Sequence, residues 1–330
     1  MLCCVEDKLG LWISEDFGIK LTSIEQVHHG ADVAADVWRA RTTCDDLYAV
    51  KWSGGGTDAG PRATAYLASK GVRGVPAPLQ TRTGDLWSQR EGKRLSLVPW
   101  ISGSRAAETG LTASQWNSYG ALLAEVHATA PPADLRQALP RLNPINARMP
   151  ALTRTIERRL STERPADAIE EELAAVWQEC RKTITGVLDL AEELADQELG
   201  GDPVICHADP HLGNVLITAE QLSRNGTAAE VHLIDWDDVV LAPREQDLMF
   251  MLGGMGSLGP TTDTQLSAFF AGYGAIDLDP TRLTYYRCAR ALEEIALWAE
   301  QVLTGPDREE SLAILQGVLG ADGLAVQALG

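Results

Sequence analysis

The residues from His207 to Asp235 have the types and spacing that a phosphoryl-transfer reaction requires. His207, Asp209 and Asn214 stand in the order His-x-Asp-x4-Asn, and Asp235 follows an apolar run. This order matches the loop in which an Asp meets the acceptor hydroxyl and an Asn binds magnesium. Because the transferred group is densely negative, a protein mainly positions the reactants and neutralises their charge with metal. The pattern predicts Asp209 as the catalytic residue and Asn214 and Asp235 as metal ligands.

Two short apolar runs, 214–218 and 231–234, connect these residues through a polar link that contains Asn225-Gly226. Such a link is typical of a strand, a turn and a second strand. The second strand would return the chain to its starting point. We therefore expect Asp235 to lie beside Asn214.

The sequence resembles the aminoglycoside phosphotransferase family in three segments, which read HADPHLGN at 207–214, IDWD at 234–237 and APREQDL at 242–248. Within that family, the later part of the chain is similar to the spectinomycin phosphotransferases. The segments that carry this similarity read LAPREQDLMF at 241–250, GYG at 272–274 and YYR at 285–287. The resemblance covers nearly the whole chain, and it is stronger over residues 204–300 than before residue 100.

The resemblance implies an α+β, two-lobed, protein-kinase-like fold with a β-rich N-lobe and a mainly helical C-lobe. The expected N-terminal nucleotide-binding lobe comprises residues 1–104, with a hinge near 98–103. The expected C-terminal lobe, residues 105–330, would contain the catalytic loop and the acceptor site. The implied activity is transfer of the γ-phosphate of ATP to a hydroxyl of an aminocyclitol or aminoglycoside antibiotic, with spectinomycin preferred and resistance as the result. The implied cofactors are ATP and Mg²⁺, with GTP left open as a donor.

For the nucleotide, the resemblance places Gly30 and Asp32 in the turn that covers the phosphates and Lys51 on the strand whose lysine contacts them. It assigns the carbonyl of Pro99 and the amide of Ile101 to the edge of the adenine. The sequence departs from the kinase pattern after Lys51, because no glutamate occurs before Glu91 to orient the lysine. Either an aspartate in the first turn of the next helix, Asp58, orients Lys51, or the lysine is held differently.

For the acceptor, the expected contacts are acidic and aromatic. Asp237 would face the amines of the acceptor. On a predicted helix, Trp298 follows Glu293 by five residues and Glu294 by four. The glutamates would hold ammonium groups, and the tryptophan would pack against a ring. The alternative for these three is a surface pair beside a core tryptophan. We expect His207 to fix its loop by hydrogen bonding, and no role is predicted for His211.

The charge of the chain is uneven. The formal net charge is −18; residues 1–104 contain 12 acidic and 12 basic side chains, whereas residues 201–330 contain 19 acidic and 6 basic, giving 6 − 19 = −13. This balance argues against nucleic acid as a partner, because nucleic acid requires a basic face. It favours a small cationic aminocyclitol as the substrate. The alternative is that the acidity only maintains solubility.

The remaining composition indicates a globular protein of the cytoplasm. Six scattered cysteines in a chain of 330 residues favour free thiols over a disulfide framework. The sequence contains no run of about 18 apolar residues, and its N-terminus does not resemble a secretory signal. We therefore expect no membrane partner, and either a monomer or a homodimer.

Several helices are predicted from apolar spacing and capping residues. Leu9, Trp12, Ile13 and Phe17 share one face of a helix at 9–17, and Thr112 is the expected N-cap of another. One long helix is predicted at 166–197 and another at about 282–303.

Two other functions remain open from the sequence. One is a kinase for a small metabolite, such as a choline-like compound or an amino sugar. The other is a nucleotide-binding pseudokinase, which the absent helix glutamate favours and the presence of Asp209, Asn214 and Asp235 opposes.

Overall fold

A computed structural model describes residues 2–27, 35–54, 57–141, 148–195, 197, 200–218, 222–223, 226–227, 231–253 and 261–330. By compactness the chain divides into two units. The first comprises Met1–Pro140 and His207–Val240, and the second comprises Arg141–Cys206 and Leu241–Gly330. The catalytic loop thus belongs to the same compact unit as the N-terminal strands. The lobe boundary near residue 104 stays a prediction.

The first unit begins with helix α1, Leu2–Phe17, and an antiparallel sheet. Its five strands run in the order β1-β2-β3-β5-β4 and span Leu21–Gln26 (β1), Ala35–Thr42 (β2), Leu47–Ser53 (β3), Ser88–Arg90 (β4) and Lys93–Pro99 (β5). Helix α2, Ala59–Ser69, follows β3. β3 lies in the middle of the sheet, between β2 and β5, so its residues are held from both sides.

Helix α1 covers this sheet with the apolar face predicted from the sequence. Leu9 and Ile13 are fully buried, and Trp12 and Phe17 nearly so. The indole of Trp12 packs against that of Trp52, with ring centroids 5.5 Å apart. The sheet residues buried in the same cluster are Trp38, Ala40, Val50, Leu95 and Leu97. The alternation of Trp38 with Ala40 along β2, and of Leu95 with Leu97 along β5, places one face of each of these two strands in the core.

The rest of this part of the chain is short strand and helix: β6 at Ser104–Arg105, α3 at Ala106–Thr109, α4 at Ala113–Ala128 and α5 at Ala133–Ala138. The predicted N-cap of α4 is confirmed. The Thr112 hydroxyl accepts a hydrogen bond from the Gln115 amide at 3.3 Å, and the Gln115 side chain accepts one from the Thr112 amide at 2.9 Å. This reciprocal pair is a capping box, which satisfies two amides that the helix leaves unpaired.

The second unit begins with three helices and a strand: α6 at Arg148–Thr162, α7 at Ala168–Glu179, α8 at Arg181–Leu194 and β7 at Val204–Cys206. The prediction of one helix over 166–197 is wrong, because the helix is interrupted at Cys180. A straight helix of that length would extend about 48 Å. The interruption lets α7 and α8 contact each other and pack on the same long helix further along the chain.

The chain then returns to the first unit. A 3₁₀ turn at Leu212–Asn214 leads into β8, Val215–Ile217, which pairs with β6 on one side. β9, Leu222–Ser223, and β10, Gly226–Thr227, pair with each other, and β11, Val231–Leu233, pairs antiparallel with β8. The second unit resumes at Leu241, within β12, Val240–Ala242, which pairs with β7 of the same unit.

The remaining helices complete the second unit: α9 at Glu245–Gly253, α10 at Asp263–Tyr273, α11 at Pro280–Thr304, α12 at Arg308–Leu319 and α13 at Leu324–Leu329. The long helix α11 is central, because α6, α8, α9, α12 and α13 all pack on it. Its N-cap, Asp279, accepts hydrogen bonds from the amides of Thr281 and Arg282. With strands concentrated before residue 100 and helices after it, the α+β prediction is confirmed.

Residues Arg308–Leu329 are long and apolar enough, by length and composition, to be a membrane span. The structure divides this stretch into α12 and α13, which are separated by a turn. Both helices pack against α11, and they bury Leu312, Leu315, Val318, Leu319 and Leu324. Their apolar character is therefore used in the core of the second unit.

Two glycines provide a test of how closely the chain approaches β11. Gly71 and Gly74 have positive φ angles of +86° and +88°. A Cβ on Gly71 would meet nothing within 4 Å. A Cβ on Gly74 would lie 2.5 Å from the Val231 carbonyl oxygen. Replacing Gly71 with Ala should cost only the strain of a left-handed residue, about 1–2 kcal/mol. Gly74→Ala should cost at least about 1 kcal/mol more, since a packed backbone must move. Urea denaturation of the two variants measures the difference, and equal midpoints would contradict the close approach.

Candidate active site

His207 holds the catalytic loop to the chain that follows β11. The imidazole is fully buried, and its Nε2 lies 2.8 Å from the Ile234 carbonyl oxygen. Its Nδ1 accepts a hydrogen bond from the Asp209 amide at 3.3 Å. Because Nδ1 accepts, Nε2 is the nitrogen that donates to Ile234. His207 thus has the loop-fixing position that the sequence predicts.

The pairing of β8 with β11 brings the two halves of the motif together. The register is Val215 with Leu233 and Ile217 with Val231, and the Ile234 amide donates to the Asn214 carbonyl at 2.9 Å. The predicted return of the chain is therefore confirmed. Asn214 and Asp235 lie at the same end of this two-strand ladder.

The Asp209 carboxylate is oriented by two neighbours in its own loop. Its Oδ2 lies 3.3 Å from Asn214 Nδ2, which also donates to the Asp209 carbonyl at 3.0 Å. The same Oδ2 lies 3.4 Å from His211 Nε2. From outside the loop, the buried Tyr119 hydroxyl of α4 donates to the carbonyl of Pro210. Asp209 is thus presented on a turn that is fixed from several directions.

Lys51 of β3 reaches the acidic end of the ladder. Its Nζ lies 2.5 Å from Asp237 Oδ2 and 3.3 Å from Asp235 Oδ1. Burial alone would lower the pKa of the Lys51 ammonium, but the charges and hydrogen bonds of Asp235 and Asp237 outweigh it, and the net shift of the pKa is upward. Lys51 is therefore a fixed positive charge beside two carboxylates.

Asn214 and Asp235 fit the requirements of a magnesium ion. Magnesium prefers oxygen ligands and is commonly held by one or two side chains together with phosphate oxygens. The Asn214 amide nitrogen is turned toward Asp209, so the opposite atom of the amide is the oxygen that a cation needs. The Asp235 carboxylate is about half exposed and adjoins the ladder end at Asn214. The chemistry of this donor set suits the ion.

Two residues of the site have a backbone that favours glycine. Ala208, between His207 and Asp209, has a φ of +71°, and Asp235 has a φ of +62°. Such angles are uncommon for residues with a Cβ, although Asp adopts them more readily than Ala. These conformations turn the chain sharply at the catalytic loop and again directly after β11.

Helix α2 contributes no carboxylate to Lys51. Asp58, the proposed substitute for the helix glutamate, instead pairs with Arg62 at 2.7 Å. The α2 sequence itself contains no acidic residue. Of the two alternatives from the sequence, the structure favours a lysine held differently.

The other predicted nucleotide contacts are the backbone groups of Pro99 and Ile101, together with Gly30 and Asp32. Pro99 ends β5 opposite Tyr48, and the Ile101 carbonyl accepts a hydrogen bond from the Gly103 amide at 3.1 Å. Their contacts with an adenine stay predictions. Gly30 and Asp32 lie outside the residues that the structure describes.

The predicted acceptor residues on α11 belong to the second unit and already have protein partners. Glu294 pairs with Arg290 at 2.7 Å and accepts a hydrogen bond from the Trp298 indole nitrogen. Glu293 lies 3.8 Å from Arg290 and is about half exposed. A role for these residues toward an amine stays a prediction.

Sequence reasoning missed two relations in the site. It gave His211 no role, although its spacing of two from Asp209 lets the ring turn back to that carboxylate. It also did not predict that the Asp237 carboxylate contacts Lys51; the role of Asp237 toward the acceptor stays a prediction. The repeat of Asp at 235 and 237, together with the absent helix glutamate, was the available signal for the second relation.

Replacing Ala208 with Gly should raise the stability of the protein. Relief of the left-handed strain, about 1–2 kcal/mol, exceeds the entropic cost of glycine, about 0.5–1 kcal/mol. We expect a higher midpoint of urea denaturation. The matched control is the same substitution at exposed Ala121 of α4, which should lower the midpoint because glycine disfavours helix. A lower midpoint for both variants would contradict the strain at Ala208.

His211 should influence the reactivity of Asp209. His211→Ala is expected to lower kcat about tenfold or less without changing KM for the nucleotide, since a single polar contact with a charged group, here 3.4 Å long, contributes about 1 kcal/mol. The informative comparison is His211→Asn. Its side-chain oxygen can still accept from the Gly213 amide, as His211 Nδ1 does at 2.9 Å, but is too short to reach Asp209. Steady-state kinetics of the Asn variant equal to those of the unmodified protein would show that the contact with Asp209 is unimportant.

Comparison with solved structures gives extensive similarity to a spectinomycin phosphotransferase. The complex of APH(9)-Ia with ADP and spectinomycin has a TM-score of 0.86 and 25% sequence identity, over 98% of this chain and 97% of that chain. Its AMP-bound complex gives a TM-score of 0.83 at 24% identity, over the same shares of the chains. The amicoumacin kinase hAmiN, in complex with AMP-PNP, Ca²⁺ and Ami, gives 0.60 at 14% identity, over 94% of this chain and 90% of that chain.

These similarities confirm the protein-kinase-like fold class. A search of curated proteins finds no match to the sequence. The model of the phosphotransferase enzyme family (APH), however, matches residues 61–292, which include Asp209, Asn214 and Asp235. The chain therefore belongs to the phosphotransferase enzyme family.

Proposed function

We propose that this phosphotransferase transfers the γ-phosphate of ATP to a hydroxyl group of spectinomycin, and that this modification confers resistance to the antibiotic. The observation that carries the proposal is the convergence of Asp209, Asn214, Asp235 and Lys51 on one end of the β8–β11 ladder. The full-length similarity to a spectinomycin phosphotransferase supports the choice of acceptor. ADP and AMP in the similar structures support a nucleotide donor.

In the proposed reaction, the acceptor hydroxyl oxygen forms a bond to the γ-phosphorus. The bond from that phosphorus to the bridging oxygen breaks, and ADP leaves with the electron pair. Asp209 receives the hydroxyl proton, for which its carboxylate is held by Asn214 and His211. A positioned proton acceptor of this kind contributes a factor of about 10² to 10⁴ in rate.

In the proposed reaction, positive charges neutralise the negative charge of the ATP phosphates. Lys51 would bind their oxygens, and its raised pKa keeps it protonated. Asn214 and Asp235 would hold Mg²⁺, which neutralises phosphate charge when bound. GTP is the alternative donor, and a related aminoglycoside 2′-phosphotransferase has been captured with GDP.

The acceptor is proposed to be cationic. Residues 201–330 carry a charge of 6 − 19 = −13, and such a surface raises the local concentration of a cation. Spectinomycin is an amine-bearing aminocyclitol, so it meets this condition. Glu293, Glu294 and Trp298 are the proposed acceptor contacts in the second unit, and the proposed location is the cytoplasm.

The test is an assay of ADP release with Mg-ATP and spectinomycin, beside streptomycin, kanamycin, hygromycin and choline. We expect turnover with spectinomycin, and a loss of about 10² to 10⁴ in kcat for Asp209→Asn. This variant keeps the size of the side chain but cannot accept the proton.

The panel also separates the other possible functions. Turnover with another acceptor alone would retain the mechanism and discard spectinomycin as the substrate. Binding of ATP without turnover across the panel would contradict the proposed reaction and favour a pseudokinase.

A further inference from the structure

Lys51 requires a partner that holds it in place, and helix α2 does not provide one. The α2 sequence from Ala59 to Ser69 has no acidic side chain, and Asp58 at its N-cap pairs with Arg62. A lysine on a flexible four-carbon stem must be ordered before it can contact phosphates in one geometry. The carboxylate that orders it must therefore come from another element.

We propose that Asp237 is the positioning residue for Lys51 and takes the place of the helix glutamate. Its Oδ2 lies 2.5 Å from Lys51 Nζ, compared with 3.3 Å for Asp235 Oδ1. Both partners are largely shielded, because the Lys51 side chain is 23% exposed and that of Asp237 33%. A charge-assisted contact in a shielded place restrains both side chains.

The two carboxylates have separable tasks. Asp235 adjoins Asn214 and has the position of a metal ligand, so its oxygens are needed for a cation. Asp237 lies two residues further, beyond the buried Trp236. A carboxylate dedicated to the lysine lets Lys51 remain anchored while Asp235 binds the metal. The proposal thus assigns to Asp237 a contact with Lys51 in place of a contact with the acceptor.

An independent observation concerns Gly60, in the first turn of α2. A Cβ at Gly60 would lie 2.6 Å from the Trp236 carbonyl oxygen and 3.7 Å from the Asp237 Cα. The helix therefore rests directly on the backbone that carries Asp237. Trp236 is fixed in turn, since its indole nitrogen donates to the Leu233 carbonyl at 2.8 Å, and its ring lies in a T-shaped contact with the His207 ring, with centroids 4.7 Å apart. Helix α2 would thus act on Lys51 through backbone contact with the Asp-Trp-Asp segment.

The first experiment is a double-mutant cycle on Lys51→Met and Asp237→Asn. Binding of Mg-ATP is measured by calorimetry, and kcat is measured by ADP release. The inference rests on the proposed function only for the measurement of kcat. Asp237→Asn should weaken binding of Mg-ATP roughly tenfold to a hundredfold, as expected for loss of a hydrogen bond to a charged group. The double variant should be no worse than Lys51→Met, because the two residues act as one unit. Additive losses would overturn the proposal.

Two further variants distinguish a positioning role from a general structural one. Asp237→Glu retains the carboxylate and should restore most of the affinity for Mg-ATP. The matched control is Asp134→Asn, the same change at an exposed residue of α5, which should leave affinity and kcat unchanged. The same cycle can be measured without nucleotide, as non-additive shifts in the midpoint of urea denaturation. Failure of Asp237→Glu to recover any affinity would count against positioning.

The readouts also separate this inference from the choice of substrate. If no acceptor turns over but Asp237 and Lys51 remain coupled in Mg-ATP binding, the proposed function fails and the positioning role stands. If Asp237→Asn instead raises KM for spectinomycin and leaves Mg-ATP affinity intact, Asp237 contacts the acceptor and the inference is wrong. Gly60→Ala should weaken Mg-ATP binding in the same direction as Asp237→Asn. The control is Gly10→Ala in α1, where a Cβ meets nothing within 4 Å.

Discussion

The antiparallel pairing of β8 with β11 is the constraint on which the candidate site depends. Each strand is only three residues long, and a ladder of this size is not stable by itself. It is supported by β6 on one side and by the Gly74 carbonyl, which accepts from the Leu233 amide at 2.8 Å. His207 adds a side-chain bond to Ile234, beyond the end of the ladder. Backbone pairing thus sets the positions of the residues of the candidate site, and side-chain contacts such as that of His207 add to it.

Electrostatic balance is the second requirement, and it connects the ladder to the main sheet. Asp235 and Asp237 place two negative charges within three residues, and like charges so close repel each other. Lys51, from the central strand β3, lies between them and offsets this repulsion. Since β3 is held on both sides by β2 and β5, the lysine has a rigid base. The Lys51 ammonium group therefore links the five-stranded sheet to the residues that follow β11.

The sequence was sufficient to predict the features that depend on local order. The spacing of His207, Asp209 and Asn214 defines a loop, and two apolar runs with a turn between them define a hairpin that returns to Asn214. The face of α1 and the Thr112 cap likewise follow from spacing over a few residues. Each of these features is determined by residues that are near one another in the sequence, and tertiary contacts did not change it.

The features that the sequence did not reveal depend on distant parts of the chain. Asp237 was assigned to the acceptor because nothing local shows that Lys51, 186 residues earlier, lies beside it. The interruption at Cys180 was missed because the helical pattern continues through it, and it is packing of α7 and α8 on α11 that uses the bend. The left-handed backbone at Ala208 was also unexpected, since alanine gives no sign of it.

The left-handed backbone at Asp235 narrows the routes by which this site can change during evolution. At a φ of +62°, only glycine, asparagine and aspartate are readily accommodated. Asparagine has nearly the same shape as aspartate and tolerates the same backbone angles, but it lacks the negative charge that a divalent cation favours. A lineage that lost catalysis through Asp235→Asn would retain its fold, and with it a surface able to recognise the same small molecules. The geometry that supports phosphoryl transfer thus also provides a short path from a phosphotransferase to a protein that only binds its ligands.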